Sequence, residues 1–224
     1  MFKFKGISSN EMGVICEEED NTFIGKASQR YEQIDIEGKN GTIFNPLGYS
    51  NIEKNMKLYV RDITKIDKIL SWLDGDGILE YNNRITKCYF FSSVEPQRSS
   101  SIKTIELPFI REPFWYEKND YFITVNDNIY NNGNKEAHPI IRLEKNTSDS
   151  IELSINDVRF IYNFDEDTIV EIDCEKMNAT CEGILKNRNL EIDFDFPILN
   201  PGNNKVVVHS GDAIIKIKRK DCWL

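Results

Sequence analysis

Four consecutive carboxylates, Glu17-Glu18-Glu19-Asp20, form the densest group of potential metal ligands in the chain. A hard cation such as calcium needs several oxygens converging on one point. Consecutive side chains on a strand or loop point in different directions and repel one another. The run is therefore expected to be a solvated loop. Asp165, Glu166 and Asp167 form a second cluster between two strand-like runs. It lacks the glycine and the closing glutamate of a calcium loop, so a hairpin turn is the expectation. Asp193 and Asp195 flank Phe194. Paired carboxylates hydrolyse glycosidic bonds, so a glycan hydrolase is the enzymatic reading of this chain. That pair would need other segments to converge on it, and alternation along the edge of a sandwich accounts for both residues.

The two histidines, His138 and His209, stand apart, and neither lies in an HExxH or HxH spacing. Each reads as a packed or surface residue rather than a base. No GxSxG elbow, GxxxxGK[ST] phosphate loop or GxGxxG fingerprint occurs. Five cysteines, Cys16, Cys88, Cys174, Cys181 and Cys222, show no CxxC spacing. An odd, unpaired set is expected to be free thiols in a reducing compartment rather than a disulfide framework or zinc site. No residue is assigned as catalytic, cofactor-binding or metal-binding. The aromatic group Trp115, Tyr116 and Tyr121, with Trp223 near the end, could stack sugar rings, though such residues more often fill cores or interfaces.

The elements that carry these residues are mostly strands. Alanine is scarce, at Ala27, Ala137, Ala179 and Ala213 only, while β-branched and aromatic residues are plentiful. Residues 30–36 and 56–61 alternate between apolar and polar, and Asn40-Gly41 is a hairpin signal after the first run. Ile63, Ile66, Ile69, Leu70 and Leu73 recur at helical spacing, with Asp62 as N-cap and Gly75 as stop. This is the one helix expected. Residues 84–94 and 102–110 read as a long hairpin whose polar tip is Pro96 to Ser101. A boundary falls in the Asn- and Gly-rich stretch 117–134, giving domains 1–130 and 131–224. Many short strands beyond it argue for a β-sandwich. The formal net charge is −9. Lys216, Lys218, Arg219 and Lys220 are the one basic cluster, and it alternates with Ile215 and Ile217 as a solvated strand face. No nucleic-acid recognition is expected. No run approaches the ~20 apolar residues of a membrane span, and the N-terminus has no apolar core of signal-peptide length.

The order of these elements resembles the distal tail proteins of siphophages and related phage-like particles. The segment Phe2 to Val14 is similar to the family's opening motif. Gln29-Arg30-Tyr31-Glu32, the turn Glu37-Gly38-Lys39-Asn40-Gly41 and the strand Lys57-Leu58-Tyr59-Val60 follow in the family's order. An amphipathic helix then ends in Trp72-Leu73-Asp74-Gly75, and Pro113-Phe114-Trp115-Tyr116 matches a later step. Asn132 to Pro139 and Leu199 to Asn204 resemble segments of the family's C-terminal galectin-like sandwich, which closes on a hairpin and a terminal tryptophan. The acidic run at Glu17 and Lys39, where arginine is the family's habit, depart from the pattern.

The resemblance implies a mostly β protein: an N-terminal ring-forming (belt) domain with one helix and a long hairpin, then a galectin-like sandwich. It implies a hexameric ring joining the tail tube to the baseplate or tail tip. Its partners would be the tube, the tape measure protein and a tail-associated lysin or fibre. Assembly would occur in a host cytoplasm and the product would sit at the virion tail tip. It implies no enzyme activity and no cofactor. The rival reading is a carbohydrate-binding β-sandwich module.

Overall fold

The computed structural model describes residues 1–94, 97–99, 102–192 and 195–224. Their contacts divide into two units, one of Met1–Lys118 together with Leu224 and one of Asn119–Trp223. The division falls before the expected 130/131 boundary. The Asn-rich stretch is not a bare linker: it contains two short strands that pair into the second unit.

The first unit opens with β1 (Lys3–Phe4), β2 (Ile7–Ser8), β3 (Val14–Cys16) and a one-turn helix α1 (Glu19–Phe23). Next come β4 (Gln29–Asp35), β5 (Thr42–Tyr49), β6 (Ile52–Val60), α2 (Ile66–Trp72), β7 (Gly75–Tyr81) and β8 (Arg84–Phe90). The unit closes with β9 (Gln97–Ser99), β10 (Ile102–Arg111) and β11 (Trp115–Glu117). The main sheet runs β2-β1-β7-β8-β10-β6-β3, while β4 and β5, among the described residues, pair only with each other. Period-two alternation explains the buried face. Met56, Leu58 and Val60 of β6 point inward with Ile105, Leu107 and Phe109 of β10 and Cys88 and Phe90 of β8. Phe2, Phe4, Phe23 and Trp72 complete an aromatic core, with Phe2 stacked on Trp72 at 5.7 Å and Phe4 edge-on to Phe90 at 4.8 Å.

The expected helix is present, with one shift. Asp62 accepts the Thr64 N–H at 3.0 Å and so caps a 3-10 turn, Ile63–Lys65, that leads into α2. The buried face is Ile69, Trp72 and Leu73, and Leu70 is only half-buried. The stripe drawn through Leu70 is corrected, because Trp72 takes the position over the core. The helix α1 was not expected. Glu19 and Asp20 occupy its first turn, where the positive end of the helix favours acidic side chains.

The second unit comprises β12 (Ile123–Thr124), β13 (Asn128–Asn131), β14 (Ile140–Lys145), β15 (Ser150–Ile155), β16 (Val158–Asn163) and β17 (Ile169–Asp173). It continues with β18 (Asn178–Cys181), β19 (Ile184–Leu185), β20 (Leu190–Ile192), β21 (Gly202–Gly211) and β22 (Ala213–Lys218). A 6-stranded sheet, β12-β22-β14-β17-β18-β19, and a 5-stranded sheet, β13-β21-β15-β16-β20, share one apolar core. Ile141, Leu143, Val170 and Ile217 come from one sheet, and Leu153, Phe160, Tyr162 and Val206 from the other. This is the expected sandwich. Asp165-Glu166-Asp167 is not a hairpin turn, because β16 and β17 lie in different sheets and the segment crosses between them. The same holds for Ser210-Gly211-Asp212 between β21 and β22. There the chain passes so close to β15 that a Cβ on Gly211, at φ +85°, would lie 2.1 Å from the Ser150 carbonyl oxygen. Only glycine fits.

Candidate functional surface

Among the described residues, those able to do chemistry do not converge. Glu17 pairs with Lys57 at 2.8 Å. Glu18 accepts from Asn21 at 2.9 Å, Glu19 meets the N-terminal amine, and Asp20 accepts from the Tyr81 hydroxyl. Each carboxylate of the acidic run is thus committed to a different partner. Asp193 lies outside the described residues, and Asp195 is exposed and accepts from the Phe196 N–H at 3.0 Å. His138 is exposed. His209 Nε2 lies 2.9 Å from Ser154 Oγ, a cross-strand pair between β21 and β15. A catalytic serine–histidine pair needs a third group to orient the ring. Glu152, two residues before Ser154 on β15, is held by Arg159 at 2.5 Å and by Ser210 at 3.3 Å.

The cysteines are free thiols, as expected. Burial pushes Cys16 and Cys222 up to about 11 and Cys88 up to about 12, and raises Cys174 and Cys181 as well. They stay protonated at neutral pH and are poor nucleophiles. Within the basic cluster, Lys216 pairs with Glu144 at 2.6 Å, Lys220 with Glu175 at 2.7 Å and Arg219 with the buried Asp221 at 3.3 Å. These cations are neutralised within their own unit. The aromatic group divides too: Trp115 is buried, Tyr116 and Trp223 are half-buried, and Tyr121 is exposed.

What the first unit does present is an uncovered ribbon, β4–β5. Every residue of β4 is exposed. Tyr31 pairs with Pro46, Gln33 with Phe44 and Ile34 with Ile43. Directly opposed residues share a face, so Tyr31 and Phe44 occupy one face, edge-on at 5.1 Å, and Ile34 and Ile43 the other. Apolar side chains on both faces cannot all pack on one neighbouring layer of the same chain. Six of them, Tyr31, Ile34, Ile36, Ile43, Phe44 and Leu47, are between 42% and 58% exposed. The connection at the far end uses Gly38 and Gly41, both at positive φ.

The root of the ribbon is tied down firmly. Ser50 N–H donates to the Ser28 carbonyl at 2.9 Å, and Tyr49 stands edge-on to Phe114 at 5.3 Å. Lys54 Nζ donates to the Asn21 carbonyl at 2.8 Å. The fully buried Arg111 donates to the carbonyls of Gly25, Glu112 and Pro113 at 2.7, 2.8 and 3.3 Å, with its guanidinium 5.3 Å from the Trp115 ring centre. Desolvation depresses Arg111 to about 10, so it remains charged at neutral pH. A charged side chain closing an apolar strand was the available signal for Arg111, and sequence reasoning passed over it.

The expected 84–110 hairpin, by contrast, lies within the main sheet. Strand β8 is flanked by β7 and β10 inside the main sheet, and Cys88, Phe90 and Ile105 are buried. The proposed tip, Pro96 to Ser101, includes positions outside the described residues.

With that geometry in place, the relatives are informative. Residues 132–223 match the family model of the siphovirus-type tail component, C-terminal domain. Among solved structures, the chain aligns with the Dit protein (gp 19.1) of phage SPP1, described as a paradigm of hub adsorption apparatus in phages infecting Gram-positive hosts. The TM-score is 0.77 at 15% identity, covering 100% of this chain and 98% of that one. Two structures of the phage P2 baseplate in its activated conformation also align. The calcium form gives a TM-score of 0.43 at 12% identity, covering 93% of this chain and 91% of that one. The strontium form gives 0.41 at 10% identity, with the same coverage. No curated protein matches the chain. The first of these alignments shows that the whole chain, from end to end, shares the fold of a Dit protein.

Proposed function

We propose that this chain, whose residues 132–223 carry the siphovirus-type tail component domain, is a distal tail protein: a structural hub at the end of a phage tail. The observation that carries the reading is the end-to-end match to a hub protein's fold, both units included, at a TM-score of 0.77. Such a hub does its work by geometry rather than by a reaction, which agrees with carboxylates, histidines and thiols that lie apart from one another among the described residues.

In this reading six copies close into a ring. The first unit forms the belt of the ring, and the second, galectin-like unit serves the adsorption apparatus. The tail tube and tape measure protein meet the ring on one side, and the tail-tip, lysin or fibre proteins on the other. A closed ring needs a heterologous contact, in which one patch of each copy meets a different patch of the next. The β4–β5 ribbon is a ready donor for that contact.

Native mass spectrometry and negative-stain images of the purified chain, alone and with its tail tube protein, test the reading. A hexamer or a tube-capping ring is expected. A chain that stays monomeric in both settings, or that binds glycans as a small oligomer, overturns it.

A further inference from the structure

The uncovered face of the main sheet holds a groove of about 510 Å³ beside the root of the ribbon. Pro108 and Ile110 of β10 line it, with Tyr89 and Phe91 at the end of β8 and Lys54 and Ser92 nearby. Phe91 is 69% exposed, more than any other large apolar side chain among the described residues. Tyr89 packs against it at 5.6 Å and donates its hydroxyl to Glu112 at 3.0 Å, so the aromatic wall is held in place. An exposed aromatic wall with a polar rim is the composition of an interface centre.

We infer that this groove seats the β4–β5 ribbon of a second copy of this chain. The inference rests on the ring reading and names the acceptor that a ring contact requires. Three observations carry it. First, the ribbon needs a cover. A two-stranded ribbon alone is marginal in water, and its six exposed apolar side chains offer on the order of 500 Å². That is more than half of the ~800 Å² one partner contributes to a standard interface. Second, the chemistry matches. Tyr31 and Phe44 can pack on Tyr89 and Phe91, and Pro108, with no N–H to give, makes the seat a packing surface rather than a site of strand addition. Third, the placement suits repetition. The groove includes Glu53, Lys54 and Asn55 at the start of β6, a few residues after the ribbon ends at Tyr49. The seven residues of β4 carry the ribbon's far end ~20 Å from that root. A ribbon seated in the next copy's groove therefore ends near the root of the next ribbon. The contact repeats around a ring, and each copy is donor to one neighbour and acceptor to the other.

Two substitutions separate the roles. Phe44→Asp disables the donor and leaves the groove intact. Phe91→Asp disables the acceptor and leaves the ribbon intact. Both positions are exposed, so each variant should keep the wild-type melting temperature. Each alone should lose ring by tenfold or more in analytical ultracentrifugation, as for a central aromatic contact. Mixed together, the two should form heterodimers, because one supplies a sound ribbon and the other a sound groove. A Phe91→Asp chain that forms wild-type rings overturns the groove as the seat and leaves the hub reading standing. The same holds if both variants lose the ring but the mixture gives no heterodimer. A wild-type chain that forms no ring, even with its tail tube, overturns the hub reading itself and this inference with it.

Discussion

The guanidinium of Arg111 donates a hydrogen bond to the carbonyl oxygen of Gly25 at 2.7 Å, from a side chain with no exposed surface. Among the described residues its acceptors are three main-chain carbonyls and no carboxylate. Arg111 closes β10, and Gly25 begins the approach to β4, so this contact fixes where the ribbon leaves the sheet. Arg111→Met keeps much of the volume but strands three part-buried acceptors. A fully buried loss of this kind costs about 1–3 kcal/mol, so urea unfolding of the first unit should show a total loss of about 2 kcal/mol. Arg111→Lys should recover little of it, because one ammonium cannot reproduce the planar fork. Wild-type stability in Arg111→Met would mean the carbonyls find other donors.

Asp167 gives the second unit an acid-labile cap. It accepts the Tyr162 hydroxyl at 2.8 Å and pairs with Lys186 at 2.7 Å. Burial alone would raise its pKa, but the bonds from Lys186 and Tyr162 outweigh burial and hold it below the ordinary carboxylate value. A carboxyl with a depressed folded-state pKa contributes stability above its unfolded value, near 4, and loses that contribution as pH falls through the folded value. Asp167→Asn should therefore lower the melting temperature of the second unit at pH 7. The gap to wild type should narrow below pH 4. A gap independent of pH would show that packing, not charge, makes the residue valuable.

In the first unit, Ile69 and Leu70 are neighbours in α2 with unequal burial. Ile69 is buried and Leu70 half-buried. Ile69→Asp places an unpaired charge in the core and should unfold the first unit or cost it several kcal/mol. Leu70→Asp should be tolerated with a loss of about 1 kcal/mol. Circular dichroism melts of the pair test this ordering, and equal losses would restore Leu70 to the buried face.

Much of this fold was legible in residue order. Alternation located β6 and its inward Met56, Leu58 and Val60, and the change of period located α2. The order of weak turn motifs carried the tail-protein resemblance. Which hairpin stands free was not legible, because residues 30–36 and 84–94 alternate in the same way. The difference is that β7 and β10 flank β8, while among the described residues no strand but β5 joins β4, and that is a fact about distant segments. A hint existed in the ribbon itself. Pro46 and Gly48 within β5, and apolar residues on both faces, are poor choices for the interior of a sheet. Asp167 was hidden for a similar reason. As one of three adjacent acids it read as part of a hairpin turn, and its partners Tyr162 and Lys186 become neighbours only when the sandwich closes.

Limited proteolysis discriminates between the free and covered ribbon. The stretch 126–135 looks susceptible from composition, yet β13 pairs with β21 across Asn128–Asn131. The Asn131 amide donates to the carbonyls of Lys135 and Leu199 at 3.0 and 2.9 Å. A protease must draw several residues into extended form, and local unfolding there would break these bonds. Lys39 lies instead in the exposed turn between Asp35 and Thr42, where Gly38 and Gly41 give the chain freedom and few bonds resist opening. Trypsin should cut the free chain first after Lys39 and leave 126–135 intact. In assembled rings the same site should be protected by tenfold or more, because the ribbon would then lie against a neighbour. Early cleavage within 126–135 would place the weak point at the unit boundary. A Lys39 site cut equally fast in rings would mean the turn stays open to solvent after assembly.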